Sequence, residues 1–403
     1  MKTIVFIHQN MPGQFKFLSR WFGQRDGWRA YFLTRRRDRQ VEGVQRITYD
    51  LHRQPKPETH LYMRQMEASV LHGQAVARKL DELRRHGITP DVIMGHTGWG
   101  ETLYAKDVFP TSPLMAYSEF YYRARGADCD FDPTLPPSMD SVLQTRTRTA
   151  HMLLSMEAAD HIWTATEWQR SVHPAAFKPL IEVCHEGIDT SLLKPDPNVR
   201  FVLPDQSVLT PEDEVITYVA RNLEPYRGFP TFMRALPLIL ERRPNAKVLV
   251  VGGDDISYGK RPKDFKTWRE AMDVEVDYDR SRVHFLGGLM YGDYRRVLQI
   301  SSVHVYLTYP FVLSWSMLEA MSSGCLIVGS RTPPVEEVIE DGVNGLLVDF
   351  FAPEDVADRV CAVLQDPGAF APLRRAARET VRQRYELQDC FARQKAMIAK
   401  VLN

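Results

Sequence analysis

Two segments of the 403-residue chain combine charged side chains with turns in a way that suits a phosphate-rich ligand. In RNLEPYRGF (221–229), after the apolar run VITYVA (215–220), Arg221 and Arg227 stand six residues apart across a proline-containing turn, and Gly228 precedes a helical stretch. Two guanidiniums at a strand-to-helix turn can grip a diphosphate through forked hydrogen bonds, aided by the positive end of the helix. Taken alone, they also read as two solvated arginines. In YPFVLSWSMLEAMSSG (309–324), Ser314, Trp315 and Ser316 precede a helix expected to carry Glu319 in its first turn. A carboxylate there can accept both hydroxyls of a ribose while the turn amides meet phosphate, or it can simply stabilise the helix.

Residues of this kind need a scaffold, and the sequence repeats one. Short apolar runs alternate with longer helical patterns: TIVFIH (3–8), AYFLT (30–34), DVIMG (91–95) and LMAYS (114–118), then VITYVA, KVLVVGG (247–253), VHFLGG (283–288), VHVYLT (303–308), CLIVGS (325–330) and GLLVDF (345–350). Strands apolar along their whole length are covered on both faces, so the sheets are parallel and the fold class is α/β. The runs form two series. Between them the polar, proline-containing stretch 196–214 reads as an interdomain connector, with the boundary near 200–212. Such sheets bind ligands outside the carboxyl ends of their strands, so the chemistry is expected in loops after strands, facing an interdomain cleft. After the first strand, HQNMPGQFKFLSRW (8–21) offers only Gly13, so the G-x-G-x-x-G fingerprint is absent, as is a Walker A loop, which argues against an NAD enzyme.

On these segments the chain resembles the retaining glycosyltransferases of family 4, which have the two-Rossmann GT-B fold and use nucleotide-sugar donors. The resemblance covers nearly the whole chain and is most specific in LSWSMLEAMSSGCLIVGSRTPPVEEVIEDGVNGLLVDFFAPEDVADRV (313–360). It implies an acceptor-side domain over 1–200, a donor domain over 201–384 and a C-terminal helix over 385–403 that crosses back to the first domain. It also implies that Arg221, with Arg227 where lysine is usual, contacts the donor diphosphate, and that Ser314, Trp315, Ser316 and Glu319 bind the donor. MPGQF matches the family's first loop, so Gly13 and Gln14 are carried to the transferred sugar. CHEGIDTSLLKPDP (184–197) resembles the interdomain segment, with Glu186 in place of asparagine.

The sequence departs from this family at two further places. Phe311 stands where the first Glu of E-x7-E belongs, so either another residue meets the sugar hydroxyls or the sugar lacks one there. No histidine occurs in LMAYSEFYYR, where Ser118 or Glu119 takes the family histidine's place; Glu119 and His96 are therefore the candidates for contacting sugar or acceptor. His96 at a strand end reads equally as a structural residue. The implied activity is retaining transfer of a sugar from a nucleotide-diphosphate sugar to an acceptor hydroxyl in glycan, glycolipid or glycoconjugate biosynthesis. A nucleotide-sugar epimerase and a non-catalytic nucleotide-sugar-binding module are the alternatives on the same architecture.

Composition bounds the partners. With 51 Lys+Arg against 51 Asp+Glu there is no basic field for nucleic acid. Locally, Arg29, Arg35, Arg36, Arg37 and Arg39 have Asp38 as the only acid among them, which suits an anionic membrane surface or acceptor as well as a solvated face. Five scattered cysteines without a C-x-x-C pair form neither a disulfide framework nor a zinc site. No cofactor and no metal are expected. The aspartates of DCDFD (128–132) alternate, but a calcium loop would place Gly and Glu where Pro133 and Met139 stand. The first apolar run is too short for a signal peptide and no run of 18 apolar residues occurs, so a cytoplasmic protein, at most peripheral to a membrane, is expected.

Overall fold

Each of the ten apolar runs forms a strand of a parallel sheet. The computed structural model describes residues 1–402. Its first seven strands are β1 (Lys2–Ile7), β2 (Trp28–Thr34), β3 (Val44–Thr48), β4 (Val92–His96), β5 (Leu114–Tyr117), β6 (His161–Thr164) and β7 (Ile181–Val183). They pair in parallel in the order β3-β2-β1-β4-β5-β6-β7. Alternate residues of a strand face opposite sides. Accordingly Ile4 and Phe6 join Phe15, Phe32 and Met94 in one apolar cluster, while Val5 and Ile7 join Leu33, Val76 and Ile93 in another.

The hairpin β8 (Phe201–Val202) and β9 (Val208–Leu209) precedes the second large sheet, formed by β10 (Val215–Asn222), β11 (Lys247–Gly253), β12 (Val283–Gly287), β13 (Val303–Tyr306), β14 (Leu326–Ser330) and β15 (Leu346–Val348). Its order is β12-β11-β10-β13-β14-β15. In both sheets the first strand lies between the second and a later one: β1 pairs with β2 and β4, β10 with β11 and β13. These reversals are the switch points beside which doubly wound sheets form a ligand crevice at their carboxyl edges.

The chain divides into two compact units, Met1–Gly187 with the segment from Gln388 onward, and Ile188–Leu387. The division falls earlier than 200, because Ile188 and Leu193 already belong to an apolar cluster of the second unit. The stretch 196–214, expected to be a connector, is instead folded into that unit: Val199, Phe201, Leu203 and Leu209 are buried against its core and carry the antiparallel β8–β9 pair. At the other end, the helix Leu387–Val401 places Met397 and Ile398 in the core of the first unit.

Candidate functional site

At the carboxyl end of β10 the two arginines part company. Arg221 is exposed. Arg227 closes a single 3-10 turn, Pro225–Arg227, and is only 7% exposed. Its Nη1 donates to the Tyr306 hydroxyl (3.1 Å), Thr308 Oγ1 (2.7 Å) and the Val312 carbonyl (2.9 Å). Gly228 follows with φ 69°, and a side chain there would meet Leu307 at 2.3 Å, so the turn into the helix Phe229–Arg242 requires glycine. Arg221 thus offers a solvent-facing cation, whereas Arg227 braces the neighbouring strand end.

That strand end leads to the helix Trp315–Ser323, with Ser314 as its N-cap. The Ser314 hydroxyl accepts from Ser316 N (3.3 Å), and Ser314 N donates to the Tyr306 hydroxyl (2.8 Å), the same oxygen that Arg227 holds. Ser316 Oγ lies 3.0 Å from Ser314 Oγ, and Trp315 is exposed. Glu319 is the fifth helical residue, so it sits in the second turn and not the first, which contains no acid. The cap at Ser314 fixes that register. Its carboxylate accepts from the hydroxyls of Tyr291 (3.1 Å) and Tyr294 (2.6 Å), both on the helix Tyr291–Gln299. Burial, and then the Glu319 charge, push the Tyr294 hydroxyl well above its ordinary value, so it stays a donor. Phe311 is 3% exposed, with its ring 4.8 Å from that of Tyr258 and 5.7 Å from that of Tyr226.

The first unit gathers its candidates at the ends of β1, β4 and β5. His8 Nδ1 accepts from Asn10 N (2.9 Å), which leaves the proton on Nε2, directed at Gln14 Oε1 (2.7 Å). Gln14 Nε2 donates onward to Glu119 Oε1 (2.5 Å). His96 repeats the arrangement: Nδ1 accepts from Gly98 N (2.9 Å), and Nε2 lies 3.5 Å from Glu119 Oε2. Only His96 faces the carboxylate itself; His8 reaches it through the Gln14 amide. The His8 and His96 rings lie 4.9 Å apart, and Trp99 stacks on His96 at 4.4 Å. Gly13 has φ 49°, and a Cβ there would lie 2.5 Å from the His8 ring. Burial alone pushes the Glu119 carboxyl up, but His96, with His8 and Gln14, outweighs it and holds the group below its ordinary value. Glu119 retains 26% side-chain exposure, so it can reach a ligand.

Ser118 is turned away from this cluster's acid. Its Oγ meets His173 Nε2 at 2.7 Å, and His173 Nδ1 lies 2.7 Å from the Gln169 carbonyl. Burial lowers His173 to about 4, so it stays neutral. Neither Tyr306 nor the pair Tyr291 and Tyr294 stood out in the sequence, since each meets its partner only through the fold. For His8 a local signal existed: a histidine at a strand end followed two residues on by a turn amide, as in HQN and HTG.

In DCDFD, Asp130 accepts from Gly126 N (2.9 Å) and Asp132 from Thr134 N (2.9 Å) and Oγ1 (2.6 Å), so both carboxylates order their own loop. Among the described residues no group of three or more His, Cys, Asp or Glu is placed to hold a metal ion. In the basic segment Arg36 pairs with Asp38 (2.6 Å) and Arg37 with Asp50 (2.5 Å). Among the described residues no helix is long and apolar enough to cross a membrane.

Residues 26–193 match the glycosyl transferase family 4 group, and residues 202–384 match the glycosyl transferases group 1. Among curated relatives, the D-inositol 3-phosphate glycosyltransferase of Kribbella flavida is 25% identical over 231 residues, covering 56% of this chain and 53% of that one. That of Corynebacterium efficiens is 25% identical over 298 residues (71% and 66%). The GDP-mannose-dependent alpha-(1-6)-phosphatidylinositol monomannoside mannosyltransferase of Mycobacterium tuberculosis is 25% identical over 235 residues (56% and 58%). The matches thus span about half to two thirds of the length of these relatives. Among solved structures, Anabaena HepE in complex with UDP superposes with a TM-score of 0.66 at 16% identity, covering 99% of this chain and 100% of that one. Sucrose-phosphate synthase from Thermosynechococcus elongatus gives 0.69 at 14% (100% and 99%). These likenesses establish the GT-B fold. With both halves matched, the chain belongs to the GT-B glycosyltransferases that join a family 4 N-terminal half to a group 1 C-terminal half.

Proposed function

We propose that the chain transfers a sugar from a nucleoside-diphosphate sugar to an acceptor hydroxyl, with retention at the anomeric carbon, in cytoplasmic glycan, glycolipid or glycoconjugate assembly. The observation that carries this reading is the set of groups at the switch point of the second sheet. Adjacent strand ends present an exposed cation at Arg221, a serine-capped helix N-terminus, and, on that helix, the Glu319 carboxylate held by two tyrosines. A cation with helix amides suits a diphosphate, and a fixed carboxylate suits a pair of ribose hydroxyls. The UDP and UDP-glucose complexes of HepE and the GDP-mannose dependence of the mycobacterial relative support a donor of this class.

As the anomeric C–O bond breaks, the sugar gains oxocarbenium character and negative charge builds on the diphosphate. Fixed positive groups there lower the barrier, because they meet more charge in the transition state than in the ground state. Arg221 and the amides after Ser314 take this role, with Arg227 setting the backbone that presents them. Glu119, kept ionised, offers a carboxylate oxygen to a sugar or acceptor hydroxyl. His8 and His96 are both Nε2–H donors, so in this state neither is the base; His96 orients Glu119, while Gly13 and Gln14 shape the loop beside it. In same-face attack the acceptor oxygen bonds to the anomeric carbon, and its proton passes to the departing phosphate oxygen, so no strong side-chain base is needed. With Phe311 buried, the sugar hydroxyl contact it replaces falls to another residue. The scheme calls for no metal.

Calorimetric titration with UDP, GDP and ADP, followed by incubation with the matching nucleotide sugars, tests the reading. Binding with slow release of free sugar supports transfer, interconversion of sugars supports an epimerase, and tight binding with neither supports a binding module. Binding of none of the three nucleotides would overturn the proposal.

A further inference from the structure

The loop after β11, residues 254–267, is fastened to the turn after β10 by a carboxylate from which solvent is excluded. Glu224 is 0% exposed and accepts from three consecutive amides: Ser257 N (3.1 Å), Tyr258 N (3.1 Å) and Gly259 N (2.9 Å). A run of successive amides is a concave anion site, and here the chain supplies the anion itself. Asn222 Nδ2 donates to Ser257 Oγ (2.8 Å) and Leu223 N to the Gly253 carbonyl (2.8 Å), closing the same seam from its other side.

The seam positions Tyr258. Its ring centroid lies 5.4 Å from the Arg227 guanidinium, 4.8 Å from the Phe311 ring and 6.0 Å from that of Tyr226. Arg227 holds the Tyr306 hydroxyl and the Val312 carbonyl, and the Tyr306 hydroxyl takes Ser314 N at the start of the helix Trp315–Ser323. Contacts therefore run without a gap from Glu224 through Tyr258 and Arg227 to the helix N-terminus. The seam requires an acceptor at both oxygens. A buried carboxylate is costly unless hydrogen bonds compensate its desolvation, and three do. A glutamine in its place would turn an NH2 group toward amides that can only donate.

We infer that Glu224 is a positioning residue of the donor side: its carboxylate sets loop 254–267 and, through Tyr258, the arginine that braces the phosphate-facing amides. With these three loop amides taken by Glu224, the loop does not offer them to a diphosphate. The inference rests on the donor reading proposed above.

The full-length chain tests it with Glu224→Gln, Tyr258→Ala and the double variant, read by hydrogen exchange at residues 257–259 and by calorimetric titration with UDP, GDP and ADP. Glu224→Gln keeps one acceptor oxygen and should strip protection from at least one of those three amides while β11 stays protected, and should weaken the preferred nucleotide by about tenfold. Tyr258→Ala should weaken it comparably, and the double variant should be no weaker than the worse single one, because both act along one line of contacts. Unchanged exchange in Glu224→Gln, or losses that multiply in the double variant, overturns the inference. If Glu224→Gln does not fold, Glu224→Asp, which keeps the charge one methylene short, is judged by the same two criteria. If the wild type binds none of the nucleotides, the donor reading falls with the assigned consequence, whereas loss of exchange protection would still identify the clamp itself.

Discussion

The two sheets reverse their chain direction in the same way but furnish their carboxyl edges with opposite chemistry. Beside β1 and β4 the edge carries one ionised carboxylate, Glu119, which accepts from Gln14 and faces His96 Nε2 at 3.5 Å, with His8 held behind Gln14. Beside β10 and β13 it carries an exposed guanidinium, a buried one and the capped start of a helix. The topology decides where a ligand can lie, and the residues after the strands decide what it is. One edge suits a hydroxyl or a developing positive charge, the other a leaving anion. Fold likeness alone could not have made this distinction.

The sharpest way to break the comparison is to remove the cation. Arg221→Ala should lower turnover by about a hundredfold and weaken donor binding less, since the charge it meets grows on the way to the transition state. Steady-state kinetics separate the two effects. Activity should survive exhaustive chelation. Loss on chelation, restored by a divalent ion and abolished by Asp130→Asn, would move the diphosphate site to DCDFD.

Next in size is the carboxylate of the second edge. Glu319→Ala should weaken nucleoside-diphosphate binding by roughly 1.5–3 kcal/mol, the scale of hydrogen bonds to a charged group. Tyr294→Phe removes one of the hydroxyls that orient Glu319 and should cost about 1 kcal/mol in the same titration. Equal affinity in wild type and Glu319→Ala would separate Glu319 from the ribose site.

Much of this arrangement was legible in the sequence, for reasons that can be named. Strands such as β1 and β10 announced themselves because both of their faces are buried. β3 did not: only Val44 of its residues is buried, and its remaining positions are partly exposed or exposed. β6 (HIWT) and β7 (IEV) did not either, because the partly buried His161 and Glu182 break the apolar run. The spacing of Arg221 and Arg227 marked a turn rich in cations, but not that Arg227 would be enclosed. Its acceptors on Tyr306, Thr308 and Val312 lie about 80 residues away in the chain and arrive only when β10 and β13 pair. The histidine tautomers, by contrast, follow from contacts two residues away, and the same local device recurs at His185, whose Nδ1 accepts from Gly187 N (2.9 Å).

The smallest effect on transfer is expected at a second glutamate of the first unit, which sharpens the comparison from within one sheet. Glu101 is fully buried, takes a hydrogen bond from the Tyr49 hydroxyl and leaves Oε2 without a partner. His72 Nδ1 lies 3.4 Å from the same tyrosine oxygen, and Arg35 is the nearby charge. Burial dominates here, and Glu101 rises to about 8, whereas the histidines hold Glu119 below its ordinary value. The same side chain is thus a neutral acid at one strand end and an anion at another, according to the donors around it. Because the folded state holds the Glu101 proton more tightly, its contribution to stability is complete below the ordinary value of 4.5 and is lost as pH rises through about 8. The slope cannot exceed about 1.4 kcal/mol per pH unit. Urea midpoints measured from pH 5 to pH 9 should therefore fall less steeply in Glu101→Gln than in the wild type, with sugar transfer at pH 7 unchanged. Parallel pH profiles for the two proteins would show that Glu101 is already ionised in the fold, and that burial does not separate the two glutamates.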